Sequence, residues 1–151
     1  MFIQYKKSTA STQQVLEHLK KCKDNFVPGL DKKVDIDVYA KKIMEHAITF
    51  EAWDANELIA LIAAYFNDKK NNLAFITSVS TMKNYEKMGI ASKLLETCIK
   101  YAEENRFKEI NLQVSRDNMS AIRLYSKFGF IQKENEEGEL LMQKKITTIS
   151  Y

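Results

Sequence analysis

A strand-like stretch, a long amphipathic stretch and a second strand-like stretch follow one another between residues 73 and 114. That order constrains the fold more than any other feature of the chain. Residues 73 to 81 read as a strand. From 89 to about 104, Ile90, Leu94, Leu95, Cys98, Ile99 and Ala102 recur on one helical stripe. Ile110, Leu112 and Val114 then alternate with polar residues, which is strand spacing. Two strands joined by a helix are expected to lie parallel in one sheet, with a right-handed crossover between them. A second helix, 118 to 127, follows at once, and Gly129 ends it as a left-handed cap.

The flanking residues fill out the same architecture. Residues 2 to 6 read as a short strand, and Ser11 or Thr12 is placed to cap a helix reaching about residue 23, with Val15, Leu16 and Leu19 on its buried face. A loop containing Pro28 and Gly29 precedes a helix over about 35 to 47, with Val38, Tyr39 and Ile43 expected on one side. Strands are expected at 48 to 53 and 57 to 65, and a closing hairpin at 130 to 134 and 139 to 145 turns around residues 135 to 138. The order is βααβββαβαββ: an α+β fold with a mixed, mostly antiparallel sheet of about seven strands flanked by four helices. We expect residues 1–151 to form one domain.

Composition narrows the function classes. With 45% hydrophobic and 28% charged residues, the chain has the make-up of an ordinary globular protein. A formal net charge of +3 favours an anionic ligand only locally and does not suggest a nucleic-acid binder. No apolar run reaches the roughly 20 residues that span a bilayer. The N-terminal residues read as a strand and not as a signal segment, so a cytoplasmic location is expected. Cys22 and Cys98 sit inside helical apolar patterns without metal-ligand spacing. They are expected to be reduced core residues, and no metal site is expected.

The turn before the helix at 89 is a candidate anion site. A helix N-terminus leaves its first N–H groups unpaired and carries the positive end of the dipole. Gly89 and Ala91 leave room for a ligand to approach. Main-chain N–H groups of Lys87, Met88, Gly89, Ile90, Ala91 and Ser92, with the Ser92 hydroxyl, suit a pyrophosphate, and Lys83, Lys87 and Lys93 add positive charge. Many plain helices also begin with a glycine, so this turn alone does not identify a ligand.

The wider pattern does. Val79-x-Thr81-x-Lys83-x-x-Glu86-x-x-Gly89-x-Ala91 resembles the acetyl-CoA motif of the GNAT acetyltransferase superfamily. Val114-x-x-x-Asn118-x-x-Ala121-Ile122-x-Leu124-Tyr125-x-Lys127-x-Gly129-Phe130 resembles the motif that follows it in that superfamily. The resemblance is strong over roughly residues 73 to 131 and rests on element order elsewhere. It implies an N-acetyltransferase that moves an acetyl group from acetyl-CoA, its co-substrate, to a primary amine of a small molecule, an amino sugar or a protein. Transfer would occur by direct attack in a ternary complex.

The resemblance also implies individual roles. The strand at Val79 and Thr81 splays from its neighbour and pairs with the pantetheine arm, and the Val79 N–H polarises the acetyl carbonyl. Residues 87 to 92 hold the pyrophosphate. Asn118 bonds the pantetheine or nearby main chain, and Tyr125 is the general acid to the departing thiolate. By spacing alone, Tyr125 is a core tyrosine and Asn118 a helix N-cap. A homodimer through the hairpin edge would fit such a fold.

Four positions or features depart from the pattern. Glu86 stands where the family usually has Arg or Gln, Lys87 where Gly is frequent, and Lys83 where Pro is frequent. The strand at 73 to 81 carries no carboxylate to serve as base, so deprotonation of the acceptor falls to water held by Thr77 or Ser78, or to Glu51, Asp54 or His46. Cys22 or Cys98 as nucleophile is a lesser alternative, since neither is expected to have a nearby His partner. Phe26, Pro28, Tyr39 and Trp53 form either an acceptor wall or part of the core, and Glu136 and Glu137 either face a cationic acceptor or lie at a solvated hairpin tip. A non-catalytic acyl-CoA-binding module is the alternative from another class.

Overall fold

A computed structural model describes residues 2–133 and 138–147. The expected order of elements is present. β1 (Ile3–Lys7) leads to α1 (Thr12–Cys22), a one-turn α2 (Leu30–Lys33) and α3 (Ile36–His46). The meander β2 (Ala47–Asp54), β3 (Glu57–Asp68) and β4 (Leu73–Thr81) follows. Then come α4 (Ile90–Glu104), β5 (Glu109–Ser115), α5 (Met119–Lys127), β6 (Ile131–Lys133) and β7 (Glu139–Lys145). The loop expected between the first two long helices contains two short turns, a 3₁₀ turn at Lys23–Asn25 and the four-residue α2, which buries Leu30. The tip of the closing hairpin, with Glu136 and Glu137, lies outside the described residues.

Local chemistry sets the helix starts. Ser11 caps α1 by accepting from the Gln14 N–H at 3.1 Å, while the Gln14 side chain accepts from the Ser11 N–H at 2.8 Å, a reciprocal capping box. Asp35 caps α3 through the Val38 N–H at 3.1 Å. On α3 the buried stripe is Tyr39, Ala40 and Ile43. Val38, expected on that stripe, is 63% exposed, because the helical period turns it away from its neighbours.

The seven strands among the described residues form one sheet in the order β1-β2-β3-β4-β5-β7-β6. β3 is central, and Leu58 to Ala64 are all buried because both faces of that strand are covered. On one face α4 and α5 pack with Ile59, Ile62, Ile76, Leu94, Leu95 and Ile110. On the other, α1 and α3 pack with Val15, Leu19, Ile43, Leu58 and Leu61. β4 and β5 are parallel, as the strand-helix-strand order requires.

One irregularity opens this sheet. β4 pairs with β5 only from Leu73 opposite Glu109 to Ile76 opposite Leu112, although it runs on to Thr81 against β3. The next residue, Thr77, is an extra one in the β3 ladder, since Ala63 faces Ser78 while Ala64 faces Ile76. A bulge bends its strand and increases local twist, which carries the end of β4 away from β5. Tyr39 holds the bulge by donating its hydroxyl to the Thr77 carbonyl at 2.7 Å.

Candidate active site

Past Ile76, where it no longer pairs with β5, β4 borders a cleft of about 470 Å³. Its walls come from four directions, one of them the loop after α1 with Asn25 and Phe26. β4 contributes Val79, Ser80 and Thr81. The turn into α4 contributes Glu86, Lys87, Gly89, Ile90, Ala91 and Ser92. The start of α5 contributes Asn118, Ala121, Leu124 and Tyr125. Nine of the ten anticipated site residues line this space. Met88 does not, and its side chain is 52% exposed.

The turn before α4 is shaped by two left-handed residues. Lys87 has φ 63° and Gly89 has φ 77°, while Ile90 opens the helix with no side-chain cap. Alternating backbone handedness of this kind points successive N–H groups into one concavity suited to an anion. A Cβ built on Gly89 meets nothing within 4 Å, so no protein atom crowds the glycine there. The frequent glycine at the Lys87 position also has a physical reason here, because φ is positive there.

Asn118 caps α5 by accepting from the Ala121 N–H through Oδ1 at 3.2 Å. Its amide oxygen is therefore used in the fold. Tyr125 is buried, packed edge-on to Phe130 at 5.9 Å between ring centroids. Burial pushes its pKa well above the ordinary phenol value of 10, so it stays protonated at neutral pH.

The candidate bases fare differently. Glu51 is fully buried and accepts from the Thr9 and Ala10 N–H groups, the Thr9 and Thr49 hydroxyls and the Trp53 indole. It knits the loop after β1 to β2 and has no face toward the cleft. Asp54 accepts from the Tyr85 hydroxyl at 2.6 Å. His46 is exposed beside Glu45 and does not line the cleft. Of the proposed acceptor wall, Phe26 lines the cleft, whereas Tyr39 and Trp53 are core residues with their polar atoms bonded to Thr77 and Glu51.

Both cysteines are free and buried, and burial pushes each thiol up to about 12. Neither is a thiolate at neutral pH. Cys22 does have a histidine nearby, which the sequence reading overlooked: His18 lies one helical turn earlier, with Nε2 3.7 Å from the sulfur. The four-residue spacing was the available signal. Among the described residues there is no group of three or more His, Cys, Asp or Glu arranged to hold a metal, and no helix long and apolar enough to cross a membrane.

The sequence profile of the Acetyltransferase (GNAT) family matches residues 12–130, more than half of the chain. The chain belongs to the GNAT family. Its similarity to individual GNAT proteins is moderate. It is 33% identical over 93 residues to a probable spermine N(1)-acetyltransferase of Bacillus subtilis subsp. natto, a match covering 59% of this chain and 60% of that protein. It is 36% identical over 61 residues to streptothricin acetyltransferase A of Bacillus subtilis, covering 40% of this chain and 35% of the other. In architecture it resembles the PaiA N-acetyltransferase of Thermoplasma acidophilum, solved in complex with coenzyme A. The TM-score is 0.78 over 96% of this chain and 99% of that one, at 17% identity. The α+β sheet of seven strands flanked by helices is thus a GNAT fold.

Proposed function

We infer that this GNAT chain transfers the acetyl group of acetyl-CoA to a primary amine by direct attack in a ternary complex. The observation that carries the reading is the parting of β4 from β5 after Ile76, with the α4 N-terminus at one end of the opening and Tyr125 within it. The exposed edge of β4 at Val79 and Thr81 suits the pantetheine arm as an added strand. The N–H groups from Lys87 to Ser92 suit the pyrophosphate, and the amide of Asn118 suits a pantetheine carbonyl. The Val79 N–H polarises the acetyl carbonyl, and the neutral Tyr125 hydroxyl protonates the leaving thiolate. Relatives named as acting on spermine and on streptothricin support an amine acceptor.

Thermal unfolding with and without acetyl-CoA tests the binding half of this reading. At about 100 times its Kd the ligand adds roughly 2.7 kcal/mol of stability, a rise in Tm of roughly 5–10 °C for a chain of this size. Gly89→Glu places a side chain and a negative charge where the pyrophosphate sits. It should fold, at the cost of a left-handed backbone strain of about 1–2 kcal/mol, and show no ligand-induced rise. No rise in wild type at millimolar acetyl-CoA would remove the basis of the reading. Thiol release in an amine screen tests the transfer half. Binding without release across a broad panel favours a non-catalytic acyl-CoA-binding module.

Glu86 is exposed at the rim of the cleft, near enough to Cys22 to help raise its thiol pKa. A carboxylate there opposes a pyrophosphate anion. Glu86→Gln should lower KM for acetyl-CoA and leave kcat little changed. An unchanged or higher KM in steady-state kinetics would show that the carboxylate aids binding.

A further inference from the structure

β4 carries no carboxylate, yet it places one hydroxyl against a histidine at the cleft. Ser80 lines the cleft, and its Oγ lies 2.8 Å from Nε2 of the buried His18 on α1. The other ring nitrogen, Nδ1, lies 2.8 Å from the Leu58 carbonyl. A carbonyl only accepts, so Nδ1 carries the hydrogen and donates it. Burial pushes the His18 pKa down to about 4, so the ring is neutral at pH 7 and Nε2 is bare. The Ser80 hydroxyl must then donate to Nε2, and its remaining lone pairs are free to accept from a group in the cleft. A backbone carbonyl 40 residues from His18 in sequence thus sets the polarity of a side chain facing the proposed reaction.

Ser80 sits on the side of the sheet opposite the α4 turn. Val79 packs with the α4 face of the sheet, where the pyrophosphate turn lies. Ser80 points the other way, toward α1, and Asn25 and Phe26 border the cleft from that side. His18 also lines a second cleft, of about 140 Å³, with Gln14, Glu17, Lys21, Asn56 and Glu57. It therefore stands between the main cleft and a polar opening between α1 and the turn from β2 to β3.

Resting on the acetyltransferase reading above, we propose that Ser80 and His18 form the proton-accepting relay of the acceptor amine. The acceptor arrives as an ammonium and passes one proton to Ser80 Oγ, which frees the lone pair that bonds to the acetyl carbon as the carbon–sulfur bond breaks. The second proton to leave the nitrogen balances the one that the thiolate gains. The Ser80 proton passes to His18 Nε2, and Tyr125 supplies the proton of the departing thiol. His18, a weak base in its buried position, holds the proton only transiently. Nε2 returns it to Ser80 Oγ, which releases a proton to water in the cleft, while the Nδ1 hydrogen stays bonded to the Leu58 carbonyl throughout. Ser80 meets the substrate, whereas His18 is a positioning residue that acts through it. The charged and titratable groups around His18 are Glu17, Lys21 and Cys22 on α1 and Glu57 on β3. Lys21 and Glu57 pair at 2.6 Å and act on the ring in opposite directions.

Steady-state kinetics of Ser80→Ala and His18→Gln, with thiol release as the signal, test this. The Gln carbonyl can still accept from Ser80 but cannot take up a proton, so a merely structural hydrogen bond survives in His18→Gln. Each variant should lose about a hundredfold in kcat at pH 7 with KM for acetyl-CoA unchanged. The deficit should shrink as pH rises toward the roughly 10.4 of an alkyl ammonium, where solvent supplies the free amine. The acetyl-CoA-induced rise in Tm, kept in both variants, would show that fold and first substrate site are intact. A kcat within about twofold of wild type, or a deficit that is the same at all pH values, overturns the relay while leaving acetyl transfer standing. No thiol release by wild type itself overturns the acetyltransferase reading and the relay with it.

Discussion

Glu51→Gln should lower the unfolding free energy by about 3 kcal/mol, although it changes a single atom of the side chain. The carboxylate accepts at Oε1 from the Thr9 hydroxyl and the Trp53 indole, and at Oε2 from the Thr9 and Ala10 N–H groups and the Thr49 hydroxyl. Whichever way the amide of Gln turns, its NH₂ faces donors. The hydroxyls can rotate to accept, but a backbone N–H or an indole N–H cannot. Each buried donor left unpaired costs about 1–3 kcal/mol. For a chain of this length the expected fall in Tm is roughly 10 °C by calorimetry.

The effect carries a pH signature. Burial by itself raises the Glu51 pKa, but the bonds from Thr49, Thr9, Ala10 and Trp53 outweigh it and hold the carboxyl below its ordinary 4.5. A folded pKa below the unfolded one contributes stability that is fully present above the unfolded value. That contribution is lost as pH falls through the folded value. The wild-type and Glu51→Gln stabilities should therefore converge below about pH 4.5 and stay apart above it. A gap that does not depend on pH would show that charge is not what the five donors recognise.

Tyr125→Phe should cost about a hundredfold in kcat and almost nothing in stability or in acetyl-CoA affinity. The ring's edge-on contact with Phe130 is kept, and the described structure gives the hydroxyl no intramolecular hydrogen bond to lose. What disappears is a neutral donor beside the proposed thiolate, a contribution of the size typical for general acids. If kcat stays within about twofold, the thiolate leaves without help from Tyr125. If instead the Tm rise with acetyl-CoA vanishes, the phenol belongs to binding and not to chemistry.

These two residues show where sequence reading works and where it stops. Tyr125 was legible only through the family motif, since spacing alone makes it a core tyrosine; in the structure Asn118, the cap of α5, and Ala121, Leu124 and Tyr125 within it all line the cleft. Glu51 was not. It looked like a base beside a strand, and only the arrival of Thr9 and Ala10, more than 40 residues away, makes it an internal knot. Trp53 and Tyr39 looked equally suited to a substrate wall and a core, and packing settled them in the core. Met88 was included with its neighbours, yet the left-handed residues on either side turn its side chain outward.

By itself the sequence determined the order of strands and helices, the parallel crossover from β4 to β5 and the residues gathered at the α4 turn. Each of these follows from periodicity, glycine conformation and spacing within a few residues. Only the tertiary structure decided that β4 leaves β5 after Ile76, that Thr77 is the bulge that bends it, and that Ser80 meets His18 across 62 residues. Strand register and contacts across the sheet depend on how every element packs at once, and no local pattern in the chain carries that information.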